Sequence, residues 1–371
     1  MTTAPVETYS IAQPLSSSGR TVVYRGVRNT DQLPVVLKVL DPRNGGPKAL
    51  EQLKREYEIG RLVDSSAIVA PLAFQMYEGM PALVMEDFGA TSLDHLIDGP
   101  MPVERFLTLG SRLAAAVAGL HAKDLVHRDL KPENILVGPA DEVKVADLGI
   151  ALRLGRGRSF PQSPSKIEGS LPYMAPEQTG RMNRSVDGRS DLYSLGVTFY
   201  EMLTGELPFR ANDPLSWVHC HVAHQPRPLR EVVPDIPLVL SDIVTKLLAK
   251  LAEDRYQTAR GLQHDLGVCL AAWEEHGNVE PFPLGQGDVS DRFEIPEQLC
   301  GRHEQLGELA QAFERVIESR RPELVLVSGY SGIGKSSLVR ELHLPVARAR
   351  GIFVTGTADQ YQRDIPYSTY A

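Results

Sequence analysis

The stretch His127-Arg128-Asp129-Leu130-Lys131-Pro132-Glu133-Asn134 decides the reading of this chain. It follows a long segment with a helical apolar period. An acid, Asp129, stands two residues before a base, Lys131, and an amide, Asn134, follows five residues after the acid. Pro132 has no N–H to give and cannot continue a helix, so the stretch is a loop. Phosphoryl transfer asks for this set: a carboxylate to accept the proton of the attacking hydroxyl, a cation to meet the γ-phosphate, and an amide oxygen to hold a magnesium ion.

The stretch resembles the catalytic loop of eukaryotic-like (Hanks-type) protein kinases at every position, and Lys131 resembles the serine/threonine class. The resemblance implies an α+β bilobal kinase fold, with a small β-rich N-lobe over about residues 1–87 and a helical C-lobe over about 88–275. Its partners are sought on either side of the loop. Residues 35–40 read as a strand with one charge, Lys38, among apolar neighbours, which is costly unless the ammonium is paired. The alternative is a lysine on the solvent face of an edge strand. By the resemblance, Lys38 meets the α/β-phosphates of ATP and is held by a helical glutamate. Residues 49–63 read as that helix, with Glu56 and Glu58 as candidates. These lie about 200° apart on a helix, so only one can face Lys38, and the distance to Ile68-Val69, which resembles the family's following strand entry, favours Glu56.

Upstream, the resemblance places a phosphate-covering loop between the first two strands. Aligned on Val23-Tyr24, the usual glycine positions hold Ser16, Ser18 and Thr21, with Gly19 nearby; a looser phosphate cover is expected. Residues 82–85 read as a buried strand. Glu86-Asp87-Phe88-Gly89 after it resembles the inter-lobe hinge, whose backbone binds adenine, with Met85 at the back of the pocket or simply in the core.

Downstream, residues 103–121 carry apolar side chains at i, i+3, i+4 and i+7 and read as an amphipathic helix under the loop. Residues 135–137 and 143–145 read as short strands. They lead to Asp147-Leu148-Gly149, which resembles the metal-binding Asp-Phe-Gly. Between Asp147 and Ala175-Pro176-Glu177 lies a Gly-, Arg- and Ser-rich segment, either a plain surface loop or a phosphorylated activation loop. Ser159, Ser163 and Ser165 are the candidate acceptors, and Arg128 is the cation that would hold a phosphate. Ser170 resembles the Ser or Thr that hydrogen-bonds Asp129 and Lys131. Residues 191–203 are apolar nearly all round and read as a buried helix stopped by Gly205. By the resemblance, Asp191 accepts N–H groups of the catalytic loop, and Arg255 pairs with Glu177. His219-Cys220-His221 with His224 has no second ligand cluster beside it and reads as polar packing or a docking surface before a zinc site.

With 371 residues, two domains are expected. A net charge of −8 argues against a nucleic-acid or anionic-membrane surface as main partner. No apolar run approaches the ~20 residues of a membrane span, and residues 1–10 do not form a signal peptide. Cys220, Cys269 and Cys300 read as reduced thiols of a cytoplasmic protein. Residues 276–298 have no period and read as a linker. Residues 305–317 read as a helix and 323–328 as a strand. They precede Gly329-Tyr330-Ser331-Gly332-Ile333-Gly334-Lys335-Ser336, a phosphate-binding loop in which Lys335 meets the β/γ-phosphates and Ser336 ligates magnesium. After a further strand at 352–354 the chain ends before the remaining strands of such an ATPase. Residues 299–371 therefore read as the truncated start of an α/β P-loop domain of the AAA/STAND kind. The domain order resembles multidomain bacterial signalling proteins.

The expectation is an active serine/threonine protein kinase. It uses ATP and Mg²⁺, acts on protein hydroxyls and is attached to downstream domains. Asp129, Lys131, Lys38 and Glu56 are the catalytic set, and Asn134 and Asp147 the magnesium ligands. The competing expectation, drawn from the missing glycines, is a nucleotide-binding pseudokinase that regulates the attached ATPase.

Overall fold

The computed structural model describes residues 9–63, 66–154, 168–182, 184–289, 301–330, 332–349, 351 and 353–354. Residues rich in β-branched and apolar side chains form an antiparallel sheet of five strands. They are β1 (Tyr9–Ser17), β2 (Thr21–Arg28), β3 (Leu33–Leu40), β4 (Pro71–Tyr77) and β5 (Met80–Glu86), in the order β1-β2-β3-β5-β4. The period of two sorts β3 cleanly. Val35, Leu37 and Val39 join Tyr9, Ala82 and Val84 on one face. On the other, Val36 lies with Leu53, Val69, Leu83 and Met85, and Lys38 stands opposite Val23 and Leu83 in the ladder. Helix α1 (Pro47–Leu62) crosses this second face and buries Leu53, Glu56 and Ile59, while Glu58 is exposed.

Residues 67–69 tie the sheet to a hairpin over residues 135–145. Val145 N–H donates to the Ala67 carbonyl and Val69 N–H to that of Val145. Strand β6 (Thr91–Ser92) precedes helix α2 (Val103–His121), whose apolar stripe is buried from Phe106 to Leu120. Then come β7 (Leu125–Val126), the hairpin of β8 (Ile135–Val137) with β9 (Val143–Val145), and β10 (Leu152–Arg153), which pairs with β7. Helix α3 (Gly188–Thr204) is buried nearly all round, starts on the Asp187 carboxylate and stops at Gly205. Gly205 has φ +74°, and a Cβ there would lie 2.9 Å from the Gly99 backbone, so glycine is required twice over. Helix α4 (Pro214–Ala223) buries Val218 and Val222 in a small cluster with Met182, while α5 (Leu229–Val232), α6 (Leu238–Leu247) and α7 (Ala259–His276) complete one large core around α2 and α3.

Two regions depart from the sequence reading. The first half of the stretch read as a linker is fastened to the helical body. Val279 is buried, Phe282 and Leu284 pack on the core, and the Asp288 carboxylate accepts the N–H groups of Gln257 and Thr258 and the Thr258 hydroxyl. Irregular backbone shows no period, yet three apolar anchors and one capping carboxylate hold it. Further on, helix α8 (His303–Ser319) forms as expected, but residues 323–328 are not a strand, and Leu324 and Leu326 are 95% and 89% exposed. A central parallel strand draws its hydrogen bonds from neighbours on both sides, and none pairs with it among the described residues. Residues 353–354 are likewise not in a strand, and residue 352 lies outside the described residues. Helices α9 (Lys335–Arg340) and α10 (His343–Arg348) follow, the latter packing against α4.

Candidate active site

Lys38 is delivered by the inner face of β3, and Glu56 by the face of α1 that turns toward it. Lys38 Nζ lies 2.8 Å from Glu56 Oε2 and 3.0 Å from Asp147 Oδ1. Burial works against the ammonium, but the two carboxylates more than offset it and raise its pKa above the usual lysine value. Glu56 is pushed up by its own burial, against the pull of Lys38. Asp147 is also disfavoured by burial, yet the adjacent ammonium holds its carboxyl below the usual range. Asp147 has φ +65°, a left-handed backbone that turns its side chain toward Lys38 immediately after β9.

The loop between β7 and β8 supplies the other half. Asp191, fully buried in the first turn of α3, accepts the Arg128 N–H through Oδ1 at 2.8 Å. Its Oδ2 accepts the His127 N–H at 2.8 Å and bonds His121 Nε2 at 2.9 Å. One carboxylate therefore fixes two consecutive peptides, and Arg128 sits at φ +70° as a result. His127 Nδ1 accepts the Asp129 N–H at 3.2 Å, which leaves Nε2 protonated to donate to the Ala146 carbonyl at 2.9 Å. The Asn134 amide donates to the Asp129 carbonyl at 2.8 Å and to its Oδ2 at 3.3 Å. Lys131, half-buried and extended, leads into the one-turn 3₁₀ helix Pro132–Asn134. Gln178 reaches back with its amide nitrogen to the Arg128 carbonyl at 2.8 Å.

The walls above and below the set are apolar. Val36, Phe88, Leu136 and Ala146 are half-buried against Met85 and Val69. Val36 and Leu136 were not singled out from the sequence, although strand alternation around Lys38 and through residues 135–137 placed them on the inner face. Glu86 is turned elsewhere: its Oε1 accepts the Ala70 N–H and Lys144 Nζ, both at 2.8 Å. Asp87 is held by Arg25 from β2 at 2.7 Å.

Ser18 and Ser170 are engaged in ways that the sequence did not specify. Ser18 closes the β1–β2 hairpin tip on itself. Its N–H donates to the Thr21 carbonyl at 3.0 Å and its hydroxyl lies 3.0 Å from the Thr21 hydroxyl, with Gly19 at φ +73°. A short hydroxyl next to a turn bonds its own backbone readily, so Ser18 is engaged within the tip. Ser170 meets Asp129 through its backbone N–H, 2.7 Å from Oδ1, not through its hydroxyl. Ser159, Ser163 and Ser165 lie outside the described residues.

Elsewhere, His221 of the histidine cluster is buried. It bonds the Tyr193 hydroxyl at 3.0 Å and the Leu171 carbonyl at 2.8 Å, and burial pushes its pKa down to about 3. It acts as neutral packing between α4 and the segment before Glu177. Of the second phosphate-binding motif, Gly329, Gly332 and Gly334 all have positive φ, and α9 begins at Lys335. Lys335 Nζ bonds the carbonyls of Gly329 and Tyr330, both at 2.8 Å, and Ser336 is exposed. Among the described residues no helix is long and apolar enough to cross a membrane.

Comparison with known proteins bears on the same stretches. Residues 9–266 match the family model described as protein kinase domain, and residues 298–371 match that of the AAA ATPase domain. The chain is 39% identical to the serine/threonine-protein kinase PknB of Mycobacterium leprae over 189 residues, half of this chain and 30% of that protein. It is 32% identical to the serine/threonine-protein kinase Pkn1 of Myxococcus xanthus over 287 residues, 76% of this chain and 40% of the relative. It is 27% identical over 353 residues to hybrid signal transduction histidine kinase G of Dictyostelium discoideum, covering 72% of this chain but 10% of that protein. The chain thus spans between 10% and 40% of the length of these relatives.

Proposed function

The chain belongs to the protein kinase domain family, and from that premise we propose that it transfers the γ-phosphoryl group of ATP to serine or threonine hydroxyls of proteins. The observation that carries the reading is the meeting of Lys38 with both Glu56 and Asp147, within 3.0 Å, beside the loop that holds Asp129. In this reading adenine lies between Val23 and Val36 above and Leu136 below, against Met85 and the hinge backbone at Glu86 and Phe88. Lys38, kept charged by two carboxylates, grips the α/β-phosphates. Asp129 receives the substrate hydroxyl's proton. Its Oδ1 is pinned by the Ser170 N–H and its Oδ2 is touched by the Asn134 amide, so the carboxylate is oriented before substrate arrives. Lys131, which makes no ion pair among the described residues, neutralises charge on the transferring group.

The donor set at Asn134 and Asp147 fits a hard divalent cation. The Asn134 amide nitrogen is spent on Asp129, so its oxygen points away from that residue, and Asp147 offers a carboxylate held ionised. These two residues would hold magnesium, which draws charge from the phosphate oxygens when bound.

The hairpin tip closed by Ser18 and Thr21 favours one alternative, a pseudokinase that binds nucleotide without turnover. The complete Lys38–Glu56–Asp147 and Asp129–Asn134 sets argue for the active enzyme. We assign residues 1–275 to the kinase and residues 299–371 to the start of a P-loop domain whose Ser336 would ligate a second magnesium. The chain would work in the cytoplasm, where Cys220 and Cys269 stay reduced. The test is transfer of labelled phosphate from ATP to a protein acceptor by the full chain and by Asp129→Asn. Loss of at least about a hundredfold is expected on removing the base; equal labelling by the variant would show that another site does the chemistry.

A further inference from the structure

Helix α1 begins under an electrostatic handicap. Its N-cap is Gly46, which offers no side chain, and its first turn holds no acidic residue. Instead Lys48 places a positive charge at the positive end of the helix dipole. Arg55, two turns on, reaches the Ala151 carbonyl at 2.7 Å, and Arg128 of the catalytic loop lies close by on the same side. Three cations from two separate elements therefore face one region, and the Nε of Arg128 is buried without a hydrogen-bond partner among the described residues. An anion placed among these cations is favoured.

Glu168 is that anion. Its Oε1 lies 2.8 Å from Lys48 Nζ and its Oε2 4.0 Å from the Arg128 guanidinium. The Lys48 hydrogen bond holds its carboxyl below the usual range. The next two residues in sequence lie against the catalytic loop. Gly169, at φ +110°, passes so near that a Cβ would sit 3.0 Å from the Arg128 carbonyl. Ser170 N–H then donates to Asp129 Oδ1. A single three-residue segment thus touches the first turn of the helix that carries Glu56, the arginine beside Asp129, and Asp129 itself.

We propose that Glu168 is a positioning residue that supplies, as a permanent carboxylate, the negative charge that locks α1 to the catalytic loop, so that the enzyme is competent without a phosphate on the segment between Asp147 and Glu177. Glu168 touches none of the reacting groups. It acts through Lys48, which sets the start of α1 and hence Glu56 and Lys38, and through the Gly169-Ser170 backbone, which sets Asp129. Lys48 is 57% exposed and Glu168 28%, so the bond is in part screened by water and each half is weak alone. The effect is therefore one of a few- to about tenfold in rate, sensitive to salt, and not an all-or-none switch.

This inference rests on the kinase reading, and the experiment separates the two. The full chain is treated with a protein phosphatase, the phosphatase is removed, and initial rates of transfer to myelin basic protein are measured. A parallel form carries Ser159→Ala, Ser163→Ala and Ser165→Ala. No transfer by any form, treated or untreated, would sink the kinase reading itself. If the untreated chain transfers, the treated chain and the triple variant are expected to keep at least half of its rate; loss of most of it would overturn the proposal. Glu168→Gln, in the same background, is expected to lower kcat/KM by about five- to tenfold at low salt, the range of one weak charge–charge contact made at two points. The gap to wild type should narrow in ~0.5 M salt. Glu168→Asp is expected to recover much of the loss and Lys48→Met to reproduce part of it. The double variant Lys48→Met/Glu168→Gln should lose less than the product of the two single losses. A Glu168→Gln rate equal to wild type, an Asp variant as poor as Gln, or multiplicative losses in the double variant would each refute the role. Melting temperatures taken on the same samples guard against a folding defect, and Glu168→Asp, which keeps both charge and shape class, carries the test if Gln proves unstable.

Discussion

Replacing Arg255 by methionine probes how the helical part is held. The Arg255 guanidinium is fully buried and every one of its five N–H groups has an acceptor. Nε bonds the Ala249 carbonyl at 2.8 Å. One terminal nitrogen bonds Glu177 Oε1 at 2.7 Å and the Arg189 carbonyl at 2.9 Å. The other bonds Glu177 Oε2 at 2.9 Å and the Lys250 carbonyl at 3.1 Å. Glu177 is buried too, and keeps the Ser190 hydroxyl at 2.7 Å once the arginine is gone. Burial pushes the Glu177 carboxyl up, while Arg255 and Ser190 more than offset this and hold it below the usual range. Arg255→Met strands a carboxylate and three carbonyls in the interior. Breaking one side of such a pair costs about 3–5 kcal/mol. Urea unfolding at pH 7.5 should show a loss of that size. The cost should shrink toward pH 5, because the orphaned carboxyl, now with a raised folded-state pKa, binds a proton more readily in the folded than in the unfolded chain. Glu177→Met/Arg255→Met should regain more than half of the loss, since neither charge then remains buried. A single variant within about 1 kcal/mol of wild type, or a double variant worse than the single, would refute the reasoning.

Three further outcomes are expected. Asp191→Asn turns one accepting oxygen into a donor facing an N–H of His127 or Arg128; kcat should fall by about 10- to 100-fold through misplacement of Asp129, with a smaller change in KM for ATP, read by steady-state kinetics. Lys250 is held down to about 7, chiefly by burial and then by Arg255. Between that value and about 10.4 the unfolded chain binds the extra proton, so wild-type stability relative to Lys250→Met should rise with pH through this window, by on the order of 4–5 kcal/mol in urea titrations. Gly196→Ala gains about 1 kcal/mol of helix propensity, but its Cβ would lie 2.7 Å from Leu247 Cβ between α3 and α6. Overpacking of about 1–3 kcal/mol should win, seen as a lowered Tm.

Much of the site was legible because its chemistry is packed into short, ordered motifs. The apolar period placed α2 at its observed bounds, and the β8 and β9 segments carry side chains with few alternatives. Helix geometry allowed only one of Glu56 and Glu58 to face Lys38, and the resemblance of Ile68-Val69 to the kinase family's next strand entry chose Glu56. What the sequence concealed depends on contacts made by backbone or across long separations. Ser170 works through its amide, which every residue but proline possesses, so no side-chain pattern marks it. Ser18 could as well face a phosphate as its own turn; only the hairpin register decides. Glu168 is one acid in a polar stretch until Lys48, 120 residues earlier, is seen beside it. Residues 323–328 have a strand's composition, but composition alone does not supply a neighbouring strand.

The anchoring of residues 278–289 has a consequence for how the molecule divides. Asp288 grips the entry of α7 across a gap kept open by Gly261, where a Cβ would come within 2.4 Å of the carboxylate. The packed helical body therefore keeps contacts as far as Asp288, beyond the last helical turn at His276. The P-loop side thus meets the helical body at that clasp, along the chain, as well as at the α10–α4 contact. The clasp sits on α7, which lies along α2, so a change in the hold of Asp288 would be felt beneath the catalytic loop.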